Sequence, residues 1–225
     1  MKLSVIVPTR NEETVIAETL RCAVAALAPH ELIVADGGST DQTAARARPW
    51  ANVLPLSMSR GAALNAAASV STGDVLLFLH ADTVLPMGAL DAITGALSDA
   101  HVIGGAFRLR FDHPGLLSAL AAWSVNLRSS LLNAFFGDQA MFVRREVFDR
   151  AGGFKDWSVM EDLEILARLR PLGRLALLNE TVTTSARRHR KNGWLATIVT
   201  VWTLTLLHRL GMPSHAMVRW YGPER

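Results

Sequence analysis

Residues 78–83 read FLHADT: an apolar run, Val75 to Leu79, stops at His80 and Asp82, two metal-ligating side chains one residue apart. A carboxylate placed just after a buried strand suits a divalent cation that also bridges diphosphate oxygens. Neutral histidine tolerates Mn²⁺ as a partner, whereas Mg²⁺ prefers oxygen. Four other stretches offer related chemistry. In PTRNEE (8–13), a polar turn after an apolar run can hydrogen-bond a base or ribose. In DGGSTD (36–41), Asp36 stands where an α/β protein often places a carboxylate that accepts hydrogen bonds from a nucleotide. In MEDLE (160–164), Asp162 has the chemistry of a general base, and Glu161 beside it can shape an acceptor pocket. SARRHRK (185–191) sets five basic residues in succession; Arg187 and Arg188 suit a diphosphate, Arg190 and Lys191 suit lipid headgroups.

Each stretch also has a plainer account. Pro8 ends a strand, Thr9 or Asn11 caps a helix, and Glu12 and Glu13 favour its first turn. Gly37 and Gly38 make a turn that Ser39 or Thr40 converts into a helix start. Glu161 and Asp162 complement a helix dipole, and most basic runs are solvated surface. Neither GxGxxG nor GxxxxGK[ST] is present.

The elements that must position these residues alternate along the first hundred. Strands are predicted at 4–7, 31–35, 52–56 and 74–79, with helices at 13–27, up to 48, 59–70 and 86–97. Strands with little polar alternation, separated by helices, indicate a mostly parallel central sheet with helices on both faces, an α/β fold. Such sheets bind ligands beyond the carboxyl ends of their strands, and PTRNE, DGGSTD and HADT all follow strands there. Further on, strands are expected at 101–111 and 139–143, a helix at 160–170, and two short strands within 174–186. Leu116, Leu120, Trp123, Leu127 and Leu131 mark an amphipathic helix, and 194–210 a last one. Such stripes are more often core than lipid groove, and Leu195, Ile198, Trp202 and Leu206 read the same way.

The chain has 225 residues, 50% hydrophobic and 19% charged, which suits one folded domain over residues 1–225 rather than a disordered chain. Its expected parts are a nucleotide half (about 1–100), an acceptor half (about 101–190) and an apolar, basic C-terminal helix and tail (191–225). A single cysteine, Cys22, excludes an internal disulfide and fits a reducing compartment. Met1-Lys2-LSVIV is too short for a signal peptide, and the uncharged run Trp194–Leu207 is too short to span a bilayer. From Ser185 onward there are seven Lys or Arg and one Glu, leaving 16 basic and 19 acidic residues before it, out of 23 and 20 in the whole chain. That split argues against nucleic acid and for an anionic partner of the tail, phosphate or membrane surface. The expected location is the cytoplasm, with peripheral contact at the inner face of the cell membrane.

In this order, PTRNE, DGGSTD, the Ala-Asp after the fourth strand, GDQAMFVRREVFDRAGGF (137–154) and Glu161-Asp162 resemble the family-2 glycosyltransferases of GT-A fold over about residues 3–190. FLHADT is most similar to small bacterial members, among them carotenoid-acid glucosyltransferases. The resemblance implies a nucleobase site at Pro8, Thr9, Glu12 and Asp36, with Arg60 and Asn65 near the nucleotide. It implies Asp82 as ligand of Mg²⁺ or Mn²⁺, His80 where the family's first Asp stands, and His189 as a further ligand. Asp162 becomes the catalytic base with Glu161 its neighbour, and Arg187 and Arg188 close over the diphosphate. The processive synthases' Gln-x-x-Arg-Trp is missing. The activity so implied is inverting, metal-dependent transfer of a sugar from a nucleotide-diphosphate sugar, UDP-sugar first, to an acceptor hydroxyl or carboxyl, with a lipid-like or carotenoid-type acceptor in view. A sugar-phosphate nucleotidyltransferase and a non-catalytic nucleotide-sugar-binding protein are the alternatives.

Overall fold

Eight strands, β1 (Leu3–Thr9), β2 (Glu31–Asp36), β3 (Asn52–Pro55), β4 (Val75–Phe78), β5 (Thr83–Val84), β6 (Val102–Phe111), β7 (Met141–Arg144) and β8 (Arg174–Thr184), form one sheet in the order β3-β2-β1-β4-β7-β6-β8-β5. The computed structural model describes residues 1–27, 31–157 and 160–212. β3, β2, β1 and β4 are parallel neighbours, as are β6 and β8; β7 runs antiparallel between β4 and β6, and β5 antiparallel to β8. The mostly parallel sheet expected from the sequence is therefore present.

Nine helices are assigned among the described residues: α1 (Ile16–Leu27), α2 (Thr43–Ala47), α3 (Arg60–Val70), α4 (Ala89–Leu97), α5 (Leu116–Leu132), α6 (Arg145–Arg150), α7 (Glu161–Leu169), α8 (Arg187–Asn192) and α9 (Trp194–Arg209). Two cores form because strand side chains alternate in direction. Leu3, Val5 and Val7 of β1 join Val75 and Leu77 of β4 against α1 and α4. Ile6, Leu76 and Phe78 point the other way, against α3, α6 and α7. β4 is thus buried on both faces, which is why it reads as an unbroken apolar run. The register pairs Thr9 with Asp36 and Ile6 with Phe78, so PTRNE, DGGSTD and HADT leave the sheet along one edge.

Three features depart from the sequence expectation. Residues 174–184 form one strand rather than two, but its pairing with β6 shifts: Val102–Ala106 meet 174–177 and Arg108–Phe111 meet 181–184. The basic run ending in Lys191 is itself a helix, α8. Most tellingly, α5 buries Ser118, Ala121, Ser124, Arg128 and Ser129, while Leu116, Leu120, Trp123 and Leu131 are exposed. Its leucine stripe is not core. Leu195 and Leu206 of α9 are exposed as well, with Ile198 and Trp202 half-buried.

A loop from the second half fixes the helix that carries Arg60. Ser59 caps α3 by accepting from Ala62 N at 3.2 Å, and Gly61 N donates to Trp157 O at 3.0 Å. A Cβ on Gly61 would lie 2.0 Å from Lys155 O, so only glycine admits the loop. Asn65 clamps the same loop, its amide donating to Phe154 O (2.8 Å) and accepting from Phe154 N (2.9 Å).

Candidate active site

A pocket at the edge where β1 and β4 end is lined by Pro8, Arg60, His80, Gly137, Glu161 and Asp162, with Phe78, Met141 and Phe154 among its apolar walls. Asp162 is built in by its neighbours' backbone: Oδ2 accepts from Gly137 N at 2.9 Å and Oδ1 from Leu163 N at 2.8 Å. Burial pushes its carboxyl above the usual range, opposed by the positive charges of Arg60 and Arg128 and by those two N–H groups. Glu161 and Asp162 open α7, where the helix dipole favours acids. Met160 just before them takes a left-handed backbone (φ 61°), which costs a residue with a Cβ about 1–2 kcal/mol. Its buried side chain holds that turn in place.

Arg60 joins two predicted site residues. Its Nε lies 2.7 Å from Glu161 Oε1, and a terminal nitrogen donates to His80 Nε2. Guanidinium can only donate, so His80 carries its proton on Nδ1. Burial, then the charges of Arg60 and Arg188, hold the His80 imidazole well below its ordinary pKa, hence neutral. Gly137 completes the packing: a Cβ there would fall 2.2 Å from His80 Nε2 and 3.0 Å from an Arg60 nitrogen.

Beside this pocket stands a second charged group. Arg187 pairs with Glu12 at 2.6 Å and with Asp82 at 3.1 Å, holding both carboxylates on one guanidinium. Asp36, at the end of β2, accepts from Ser39 N (3.2 Å) and Ser39 Oγ (2.5 Å). Thr9 opposite it is buried, and its hydroxyl has no hydrogen-bond partner among the described residues.

The predicted metal set does not assemble. Among the described residues no three His, Cys, Asp or Glu side chains come together as a metal group. His80 is turned to Arg60, and His189 packs between Phe111 (4.4 Å between centroids) and Trp194 (5.0 Å). Burial and the Arg188 charge push His189 down to about 4. Asn65 spends both ends of its amide on the Phe154 backbone rather than facing the crevice. Arg188 lies close enough for its charge to act on His80 and Asp138.

Asp138 was not anticipated from the sequence. Its carboxyl is raised to about 6, chiefly by burial, with Asp162 and Asp82 adding repulsion and Arg128 and Arg188 opposing it. Its Oδ1 is buried without a hydrogen-bond partner among the described residues. Behind it, Arg128 is 1% exposed, donates to Ala134 O at 3.2 Å and stacks 4.1 Å from the Phe136 ring centroid. The only hint in the sequence was the GDQ triplet opening 137–154.

Residues 4–152 match the profile of Glycosyl transferase family 2. The chain belongs to that family. It is 26% identical over 202 aligned positions to the Bacillus subtilis (strain 168) protein "Probable glycosyltransferase YdaM", covering 76% of this chain and 47% of that protein. Over 247 positions it is 26% identical to a Nostoc "Beta-monoglucosyldiacylglycerol synthase", covering 93% and 52% respectively. The chain thus spans about half the length of these curated relatives. Among solved structures, Mycobacterium tuberculosis glucosyl-3-phosphoglycerate synthase, in complex with Mn²⁺, UDP-glucose and phosphoglyceric acid, superposes with a TM-score of 0.63. It is 23% identical and covers 94% of this chain and 80% of its own. The GT-A fold and the assignment as a glycosyltransferase of this family, both expected from the motifs, hold.

Proposed function

We propose that this family-2 glycosyltransferase moves a sugar from a UDP-sugar to a hydroxyl or carboxyl of a lipid-like acceptor, with inversion and with Mg²⁺ or Mn²⁺. The observation that carries the reading is Asp162: a part-buried carboxylate, fixed by two backbone N–H groups at the pocket, with its pKa raised. A raised carboxyl is a better proton acceptor than a solvated one, so Asp162 takes the acceptor proton as the oxygen attacks the anomeric carbon. One displacement from the opposite face inverts that carbon. Arg60, tied to Glu161 and His80, positions the wall next to the base. Arg187 and Arg188 meet the charge that develops on the departing diphosphate. Pro8, Thr9 and Asp36 receive the nucleoside, the unpartnered Thr9 hydroxyl and the Asp36 carboxylate supplying its polar contacts.

The residues fit a divalent cation on the evidence of Arg187, a cation that Asp82 and Glu12 already share. Asp82 would hold the metal with Glu12 beside it, an all-oxygen set that hard cations prefer, without His80 or His189. Bound there, the metal would neutralise diphosphate charge. The relative named for glucosylation of diacylglycerol and the neighbour bound to UDP-glucose and Mn²⁺ support a UDP-sugar, a cation and a lipid-like acceptor. No helix of the described residues is long and apolar enough to cross a membrane; the exposed, basic Arg190 and Lys191 support peripheral contact, at the cytoplasmic membrane face in this reading. Residues 1–225 act as one domain in this reading, and family membership sets the nucleotidyltransferase alternative aside.

The test is UDP release and glycolipid formation from UDP-glucose and diacylglycerol vesicles with Mn²⁺. Asp162→Asn should lose roughly 10²–10⁴-fold in turnover while still binding UDP by calorimetry. Wild-type turnover in both Asp162→Asn and Asp82→Ala would overturn the assignment, and no turnover by the wild type with bound UDP would favour a non-catalytic sugar-nucleotide binder.

A further inference from the structure

α5 turns its polar side inward and its leucines outward. Leu116 is 84% exposed and Trp123 60%, whereas Ser124 and Arg128 are buried. α9 presents Leu195 and Val199 to solvent in the same manner. Three contacts set these helices side by side and running in the same direction. The Trp194 ring lies 5.9 Å from His113, just before α5; Trp202 Nε1 donates to Ser124 Oγ at 2.7 Å; Arg209 donates to Leu132 O at 2.6 Å. The outward leucines therefore belong to one two-helix face, and a contiguous apolar face marks an interaction surface where scattered leucines would not.

Charge selects its partner. Neither α5 nor α9 contains Asp or Glu. Arg190 and Lys191, both exposed, lie in the last turn of α8, which Asn192 ends one glycine before α9, and Arg209 is exposed at the far end. Asp112, an acid four residues before α5, accepts from Ala186 N at 2.8 Å. A second copy of the chain would satisfy the leucines but bring like charges toward each other. An anionic lipid surface satisfies both.

We infer that the α5–α9 face seats the protein on an anionic bilayer, its leucines and Trp123 at the headgroup–acyl boundary and Arg190 and Lys191 on lipid phosphates. α8 carries Arg187 and Arg188 at one end and this basic rim at the other, six residues in all, or about 9 Å of helix. Docking so brings the donor site within one short helix of the lipid. The inference deepens the proposed lipid-acceptor reading, but seating requires neither donor nor turnover.

The test is flotation of the 225-residue chain with phosphatidylcholine vesicles, with and without phosphatidylglycerol, at low and high salt and without UDP-sugar. Binding should need phosphatidylglycerol and fall with salt. Arg190→Gln with Lys191→Gln should weaken it about tenfold or more. Leu120→Glu with Val199→Glu should weaken it by at least a similar factor, with melting temperature and UDP affinity unchanged. No wild-type binding, or binding indifferent to both variants, overturns the inference. So does a dimer by sedimentation that Leu120→Glu with Val199→Glu converts to monomer, which would assign the face to a second copy. Vesicle binding by an enzyme that fails to transfer sugar would sink the catalytic reading alone; transfer to a micellar acceptor without vesicle binding would sink this one alone.

Discussion

Replacing Asp138 by asparagine should stabilise the protein, and only at neutral to alkaline pH. The carboxyl is raised from an ordinary 3.8 to about 6, so the folded state holds its proton more tightly than the unfolded chain does. Ionisation therefore favours unfolding. The wild type loses stability as pH rises from about 4 through about 6, and below 4 both states are protonated and nothing is lost. Two pK units and a little more, at 1.36 kcal/mol each, amount to about 3 kcal/mol above pH 7. The asparagine amide takes back part of this, since it brings N–H donors that need acceptors of their own. A gain of about 1–3 kcal/mol remains, or roughly 2–10 °C in a chain of this size. The assay is thermal or urea unfolding of both proteins from pH 4 to pH 8 in EDTA. The variant should be no more stable than the wild type at pH 4, by the amount the amide takes back, and gain on it through pH 6. Equal stability at pH 8 would refute the reasoning, and so would an offset of the same size at both pH values, which would mean packing rather than charge. With Mn²⁺ the gain should shrink, because positive charge at Asp82 removes one of the repulsions acting on Asp138.

Two other substitutions probe the frame of the site. Gly61→Ala puts a methyl 2.0 Å from Lys155 O, a backbone atom, so the loop must move and stability should fall by about 1–3 kcal/mol in urea unfolding; an unchanged midpoint would show that the loop gives way freely. Arg128→Met removes the charge that most opposes the rise at Asp138 and leaves buried carboxylates uncompensated. It should cost about 3 kcal/mol at pH 8 and less at pH 4, where Asp138 holds its proton, as read from the same melts.

The first half of the fold was legible because its signals are local. β1, β2 and β4 are built on the apolar runs VIV, LIVA and VLLF, and the polar turns after them announce the ligand edge. β8 is one strand where two short ones were expected: residues 178–180 leave the pairing with β6, and the same strand resumes it at Thr181. α5 misled for a physical reason: periodicity locates an apolar stripe but says nothing about which side meets the protein, and here Arg128 and three serines won the interior. Within the site, Glu161 and Asp162 line the pocket and Asp82 pairs with Arg187, three positions that the order of the motifs singled out. Asp138 was not singled out, since its character comes from Asp162, Asp82 and Arg128, distant in sequence or hidden behind it. His189 was assigned to metal by the family resemblance, while Phe111, 78 positions earlier, gives it an aromatic setting.

Gly137 ties the evolutionary freedom of three positions together. The space its missing side chain leaves is filled by His80 and by Arg60, from two other segments of the chain. A larger residue at 137 is admissible only where position 80 retreats. Relatives with the family's shorter aspartate in place of His80 should therefore tolerate alanine or serine at 137, and those with histidine should keep glycine. Read across the family, positions 60, 80 and 137 ought to vary as one unit, and the histidine that breaks the Asp-x-Asp pattern becomes the marker of a glycine 57 residues away.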